Sequence, residues 1–150
     1  MPFSFPDMLD IDATTLIPHR DPMLLVKGIL EVDLDKAYIK AATMCTTKDL
    51  LYDASINGVI PTASVEIMAQ AIGLHSGYSD IQHGITPAQM GKLLSVKQYR
   101  SYTKALPVNI PLEVEAQGIL HSPPVGVFSC NIRMQGELLA EAEITVYREE

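Results

Sequence analysis

The stretch Asn57-Gly-Val-Ile-Pro-Thr-Ala-Ser-Val-Glu-Ile-Met-Ala-Gln-Ala-Ile-Gly-Leu-His-Ser-Gly-Tyr78 decides how the rest of this chain must be arranged. Asn57-Gly58 is a turn signal, and Pro61 suits the start of a helix, where its missing N–H leaves no bond unmade. Residues 63–74 are apolar on nearly every side, which predicts a buried helix. The run is too short and too interrupted to span a membrane.

A narrow stripe breaks the apolar pattern of this helix. Its members follow steps of four, three and four residues and therefore share one face: Glu66, Gln70, Gly73 and Gly77. Burying a carboxylate is costly unless the group is paired or protonated. Two interpretations stay open, a solvated face around a partly exposed acid or a functional acid in a site.

Length, charge and cysteine content limit the class of protein. The 150 residues suit one domain with a sizeable core, and the net charge of −7 argues against nucleic acid as a partner. Cys45 and Cys130 lie in apolar, strand-like stretches, which indicates reduced core residues rather than a disulfide. The first ten residues show no basic segment followed by an apolar run, so we expect a cytoplasmic protein without a signal peptide.

Periodicity predicts strands on both sides of the helix. The strand candidates are residues 23–33, 37–44, 91–103, 112–120, 125–134 and 138–147, with loops at 46–60 and 79–88 and a short helix or turn within 1–15. Short turns join the late strands, so the sheet is expected to be antiparallel. A helix that is apolar all round needs cover on every side. This predicts an α+β fold with the sheet curled around the helix, and a homodimer that completes the cover.

Two motifs carry a resemblance to a known family. Val65-Glu-Ile-Met-Ala-Gln-Ala71 resembles the central-helix motif of the 3-hydroxyacyl-(acyl-carrier-protein) dehydratases, and Ile17-Pro-His-Arg-Asp-Pro-Met-Leu-Leu-Val26 resembles their N-terminal segment. Within that family the chain looks most like the dehydratase-like proteins of aryl-polyene biosynthesis clusters. The resemblance implies the hot-dog fold, one long helix wrapped by an antiparallel sheet. It further implies dehydration of a 3-hydroxyacyl thioester, held on acyl carrier protein or coenzyme A, with no metal or redox cofactor.

One departure from the family affects the choice of catalytic residues. Ordinary members have a Gly-His-Phe-Pro-Gly loop with the catalytic base, which would fall near Tyr52 or Asp53 here. This chain has no histidine between His19 and His75. The family's acid corresponds to Glu66, but its base has no counterpart at the usual place.

Dehydration needs a base for the proton next to the carbonyl, an acid for the departing hydroxyl and donors for the thioester oxygen. The resemblance implies Glu66 as the acid. His19, in the matching Pro-His-Arg segment, is the candidate base, within the chain or across a dimer interface. The alternative is a structural His19 that ties the N-terminal loop to the sheet together with Arg20.

Five further residues are assigned to substrate binding. Gln70 is expected to orient the acid or the substrate, and backbone N–H groups near Thr62 and Ala63 are candidate donors because a helix start presents unpaired N–H groups. Tyr52 and Asp53 fall where the family has its catalytic loop.

A local excess of basic residues suggests a docking surface. Residues 81–112 contain no acid but include Lys97 and Arg100 in an otherwise acidic chain. Carrier proteins are acidic, so Lys97 and Arg100 are predicted to dock the carrier, against the alternative of a solvated strand face.

Three functions are compatible with these sequence features. The first is the dehydratase. The second is an acyl-thioester hydrolase, because a lone carboxylate can activate water without a histidine. The third is a non-catalytic acyl- or carrier-binding subunit of a heterodimeric dehydratase, to which the absent histidine loop points.

Overall fold

A computed structural model of the chain describes residues 8–87 and 92–148. Its single α-helix is α1 (Ala63–Gln82), preceded by a 3₁₀ turn at Ala13–Thr15. The strands in chain order are β1 (Val26–Asp33), β2 (Tyr38–Thr43), β3 (Tyr52–Asp53), β4 (Gly58–Val59), β5 (Lys92–Ser101), β6 (Leu112–Ser122), β7 (Val125–Met134) and β8 (Glu137–Tyr147).

Six of the strands form one antiparallel sheet that covers α1, in the order β1-β2-β6-β7-β8-β5. β3 and β4 pair with each other in a separate two-stranded sheet, and Val59 of β4 also bridges to Leu106. A tight turn joins β1 to β2, and the register pairs Asp33 with Tyr38 across the predicted hairpin. The expected α+β architecture, an antiparallel sheet around one long helix, is confirmed.

The core lies between α1 and the concave face of the sheet. β6 buries every second residue, Leu112, Val114 and Ala116, as its alternating sequence predicts. The helix contributes fully buried side chains, including Met68 and Leu74. Each such side chain removed from water contributes about 1.5–3 kcal/mol, so the apolar run of the helix and the alternating strands stabilise each other.

Three sequence predictions need correction. The helix continues to Gln82, so residues 79–82 are not loop; their polar side chains include Asp80, which is buried and paired with Arg148. β1 begins at Val26 rather than Met23, because the N–H groups of Met23 and Leu24 donate to the carbonyl of Arg20 in a turn.

The predicted loop 46–60 contains the short β3–β4 pair. Predictions for residues 1–7, 88 and 91 lie outside the described residues.

The edges of the sheet differ in their cover. β5 pairs only with β8 among the described strands and carries the exposed Leu93 and Leu94. Ahead of the other edge strand, β1, Leu16 and Ile17 insert into the core. In the described part of the chain, no helix has the length and apolarity needed to cross a membrane.

Candidate active site

A cavity of about 220 Å³ runs along one face of α1. The helix lines it with Glu66, small residues and, at the far end, Asp80. Leu16 and His19 close it from the N-terminal segment. The other side is formed by residues from the end of the loop after α1 and from the sheet: Pro87, Leu93, Val146 and Arg148. Three of the four residues of the predicted stripe, Glu66, Gly73 and Gly77, therefore line a cavity.

His19 and Glu66 meet at one end of this cavity. Nε2 of His19 lies 3.4 Å from Oε1 of Glu66, and their side chains are 21% and 39% exposed. This distance is longer than a usual hydrogen bond, so the two groups are close but not locked together. Nδ1 of His19 is buried and has no hydrogen-bond partner among the described residues. Nε2 is therefore the ring nitrogen that a ligand in the cavity can reach.

The N-terminal segment is held in place by backbone contacts. The Arg20 guanidinium donates to the carbonyl oxygens of Thr14, Ile17 and His19 at 3.1, 3.0 and 2.7 Å, and so fixes the turn that carries His19. Gly77 permits the same segment to approach the helix, because a Cβ at this position would collide with the carbonyl oxygen of Leu16. These Arg20 contacts stabilise the N-terminal segment itself and do not tie it to the sheet, while His19 lines the cavity.

Gln70 links the acid to the start of β1 and is completely buried. Its Oε1 accepts hydrogen bonds from the N–H groups of Leu25 and Val26 at 2.8 and 3.3 Å. Its Nε2 donates to the carbonyl of Met23 at 2.8 Å and to Oε1 of Glu66 at 2.9 Å. Every donor and acceptor of the amide is used, so its orientation is fixed. Because Oε1 of Glu66 already accepts from Gln70, Oε2 is the oxygen left to carry a proton.

The remaining substrate-binding candidates lie elsewhere. Tyr52 packs against the core from β3, and neither Tyr52 nor Asp53 is among the described residues that line the cavity. Hydrogen bonds from the side chain and backbone of Ser55 lower the pKa of Asp53.

Thr62 is the N-cap of α1, but the N–H groups of Ala63 and Ser64 donate to the carbonyls of Ile60 and Pro61 at 3.0 Å. A substrate contact by Thr62 or Ala63 stays a prediction.

Lys97 and Arg100 are exposed on β5 but face acids across the sheet. The register pairs Lys97 with Glu143 and Arg100 with Glu141 on β8. The positive charge of residues 81–112 is therefore partly compensated by acids on β8, a strand about forty residues away in sequence. Directly opposed residues of two paired strands interact at about 5 Å. Carrier docking by Lys97 and Arg100 stays a prediction.

The polar cluster at the far end of the cavity was not predicted from the sequence. Arg148 donates to Oγ of Ser76 at 2.5 Å and to a carboxylate oxygen of Asp80. A signal was present in the spacing, because Asp80 follows Gly77 by three residues and continues the stripe that begins at Glu66.

One long helix wrapped by an antiparallel sheet defines the class of hot-dog proteins. Within this class the chain belongs to the ApeP-like family: the family model, described as ApeP dehydratase, matches residues 11–150. The protein is therefore a dehydratase, a lyase, as the resemblance implies. The alternatives of a hydrolase and a non-catalytic subunit are not favoured.

Individual relatives agree with the family. The chain is 26% identical over 147 residues to the 3-hydroxyacyl-[acyl-carrier-protein] dehydratase FabZ of Protochlamydia amoebophila, covering 93% of this chain and 89% of the relative. It is 27% identical over 143 residues to FabZ of Xanthomonas euvesicatoria, covering 91% of each. Among solved structures, the dehydratase heterocomplex ApeI:P from Xenorhabdus doucetiae superimposes with a TM-score of 0.86. That match has 20% identity and covers 95% of this chain and 93% of the other, so it supports the fold.

Proposed function

We propose that the protein removes water from 3-hydroxyacyl groups carried as thioesters, with Glu66 as the acid and His19 as the base. The observation that carries this proposal is the 3.4 Å separation of His19 Nε2 and Glu66 Oε1 at the end of a mostly apolar cavity. Dehydration breaks a C–H bond and a C–O bond on adjacent carbons, so its base and acid must act within a few ångströms of each other. A neighbouring carboxyl group and imidazole meet that requirement.

The proton transfers follow from the hydrogen bonds of the site. His19 Nε2 accepts the proton from the carbon next to the thioester carbonyl, and the C–H electron pair forms the new double bond. Glu66 Oε2 gives its proton to the 3-hydroxyl group, which leaves as water. After the product leaves, His19 Nε2 loses its proton to solvent and Glu66 Oε2 takes one up from solvent, which restores the starting state. Gln70 acts as a positioning residue, because its Nε2 holds Glu66 Oε1 and leaves Oε2 directed to substrate.

The carrier of the acyl group is proposed from the relatives. The FabZ proteins are named as dehydratases of acyl-carrier-protein substrates, and we assign the same carrier class, or coenzyme A, to this chain. A place in fatty-acid or aryl-polyene-type biosynthesis accords with the family match. Lys97 and Arg100 are exposed and available to an acidic carrier despite their opposed acids. A cytoplasmic location stays a prediction from the sequence.

The protein is further proposed to act as an oligomer. The ApeI:P neighbour is a heterocomplex, and the exposed leucines of the edge strand β5 are suited to a subunit contact. A homodimer is the state proposed from the sequence, and a heterodimer with a related dehydratase is the alternative.

The test of catalysis is a mass-spectrometric assay of purified protein with 3-hydroxyacyl carrier protein. Wild type is expected to produce an acyl group lighter by one water. Glu66→Gln and His19→Ala should each lower the rate by about 10²–10⁴-fold, the usual contribution of a general acid or base. Glu113→Gln and His83→Ala, which change an acid on the sheet and the helix-capping histidine, are the matched controls. Full activity of Glu66→Gln would exclude the proposed acid, and release of free acid would identify a hydrolase.

The docking proposal has a separate test. Lys97→Glu combined with Arg100→Glu should weaken carrier binding at low salt, measured by surface plasmon resonance. Lys40→Glu with Arg133→Glu makes the same charge change on β2 and β7, away from β5. Equal carrier affinity of the two double variants would refute the docking role.

A further inference from the structure

Arg148 connects three parts of the fold directly after β8. Its side chain donates to Ser76 and Asp80, one turn apart on α1, and its backbone N–H donates to the carbonyl of Pro124 at 2.8 Å. Asp80 is only 8% exposed. The ion pair between the Asp80 carboxylate and the Arg148 guanidinium is costly to break, because either charge alone would lack a compensating charge.

This ion pair stands between two cavities. On one side is the 220 Å³ cavity with Glu66 and His19. On the other is a cavity of about 710 Å³, bounded by His75, His121, Pro123 and Phe128. Both are lined by Ser76, Asp80 and Arg148, together with Ile72 and Val146. The Arg148–Asp80–Ser76 cluster is therefore a shared wall.

The shape of the first cavity suits an acyl chain that runs along the helix. From Glu66 to Asp80 the helix rises about 21 Å at 1.5 Å per residue. Apart from Ile72, the helix residues between them that line the cavity are small: Ala69, Gly73, Ser76 and Gly77. The volume of the first cavity lies below the range of about 300–1,000 Å³ usual for ligand sites, whereas that of the second lies within it. An apolar chain that enters beside Glu66 meets a hydrogen-bonded ion pair before it can reach the larger space.

We propose that the Arg148–Asp80 pair is the end wall of the acyl-binding cavity and determines the acyl-chain length that the enzyme prefers. This inference rests on the proposed function, because it takes an acyl thioester as the ligand. Arg148 and Asp80 act as specificity-determining residues and do not touch the reacting atoms. A chain longer than the first cavity must displace the wall, and exposing either charge to a hydrocarbon chain is unfavourable. Removing both charges joins the cavities and favours longer chains.

The experiment compares binding of butyryl-, octanoyl- and dodecanoyl-pantetheine by calorimetry. The variant is the double change Asp80→Ala and Arg148→Ala, which leaves no unpaired buried charge. Glu115→Ala with Arg133→Ala removes a partly buried ion pair elsewhere on the sheet and is the matched control. Circular dichroism and thermal unfolding verify that each variant is folded. Arg148→Lys, which keeps a positive charge beside Asp80, serves as a second variant if the double change does not fold and should give a smaller shift in the same direction.

The expected result is a rise of at least tenfold in the affinity ratio of dodecanoyl- to butyryl-pantetheine in the double variant, with no change in the control. Each additional buried methylene adds about fourfold in affinity, so two newly buried methylenes suffice. A ratio within twofold of wild type in a folded variant would overturn the proposal, as would wild type that binds none of the probes.

Binding of these saturated probes needs no turnover. Wild type that binds them but dehydrates no 3-hydroxyacyl thioester refutes the proposed function alone. Wild type that dehydrates, with an unchanged ratio in the double variant, refutes the end wall alone.

Discussion

Replacing Gln70 by Leu tests whether its buried amide both stabilises the fold and orients the Glu66 carboxyl group. The substitution keeps the approximate volume but leaves the N–H groups of Leu25 and Val26 without their acceptor. An unpaired buried polar group costs about 1–3 kcal/mol. Since Leu25 is only half-buried, we expect a loss of about 2–4 kcal/mol in the free energy of unfolding, against a total of about 5–15 kcal/mol.

The assay is urea and thermal unfolding at one protein concentration, with Gln117→Leu as the matched control. Gln117 also donates to a backbone carbonyl far along the chain, that of Lys36, but at a partly exposed site on the sheet. Its loss should cost about 1 kcal/mol or less. For a domain of this length the melting temperature of Gln70→Leu should fall by about 5–15 °C.

The turnover number should fall as well, because Glu66 Oε1 loses the donor that orients it. A melting temperature for Gln70→Leu within about 2 °C of that for Gln117→Leu would refute the anchoring role. Full activity of folded Gln70→Leu would refute the positioning role.

Two further changes probe the N-terminal segment and the pH dependence of stability. Gly77→Ala places a methyl group against the carbonyl of Leu16. It should therefore lower the free energy of unfolding in urea by about 1–3 kcal/mol and reduce turnover by shifting His19. Unchanged stability and turnover would contradict the close packing of Gly77 against Leu16. Burial, with a smaller effect from His121, lowers the pKa of His75, so the unfolded chain binds this proton more readily. The unfolding free energy should therefore decrease as the pH falls below about 6.5, less steeply in His75→Gln, and equal slopes for both proteins would contradict this assignment.

Most of the fold could be predicted because its periodic signals are strong. The alternation in β6, β7 and β8 and the continuous apolar face of α1 leave few arrangements that bury both. The end of the helix was misjudged because Ser79 and Asp80 are polar, and the burial of Asp80 is explained by its contact with Arg148. That contact joins residues 68 positions apart, a separation at which local patterns carry no information.

The candidate site was predictable in part. The stripe of Glu66, Gln70, Gly73 and Gly77 follows from helical spacing, and Glu66 and Gly77 do line the cavity. Gln70 turns to the backbone before β1 instead, 45 residues away, which no spacing rule predicts. The basic island around Lys97 and Arg100 was overestimated, because a linear window omits the acids that β8 places opposite them.

The pairing of His19 with Glu66 inside one chain has a consequence for any assembly the protein forms. One polypeptide supplies both groups. The distance between them is set by α1 and by the N-terminal turn that the Arg20 hydrogen bonds stabilise. With the proposed roles, each copy accordingly contains both the acid and the base. We therefore expect no recovery of activity when a copy that lacks Glu66 is mixed with a copy that lacks His19, and we expect the activity of mixed assemblies to follow the fraction of intact chains.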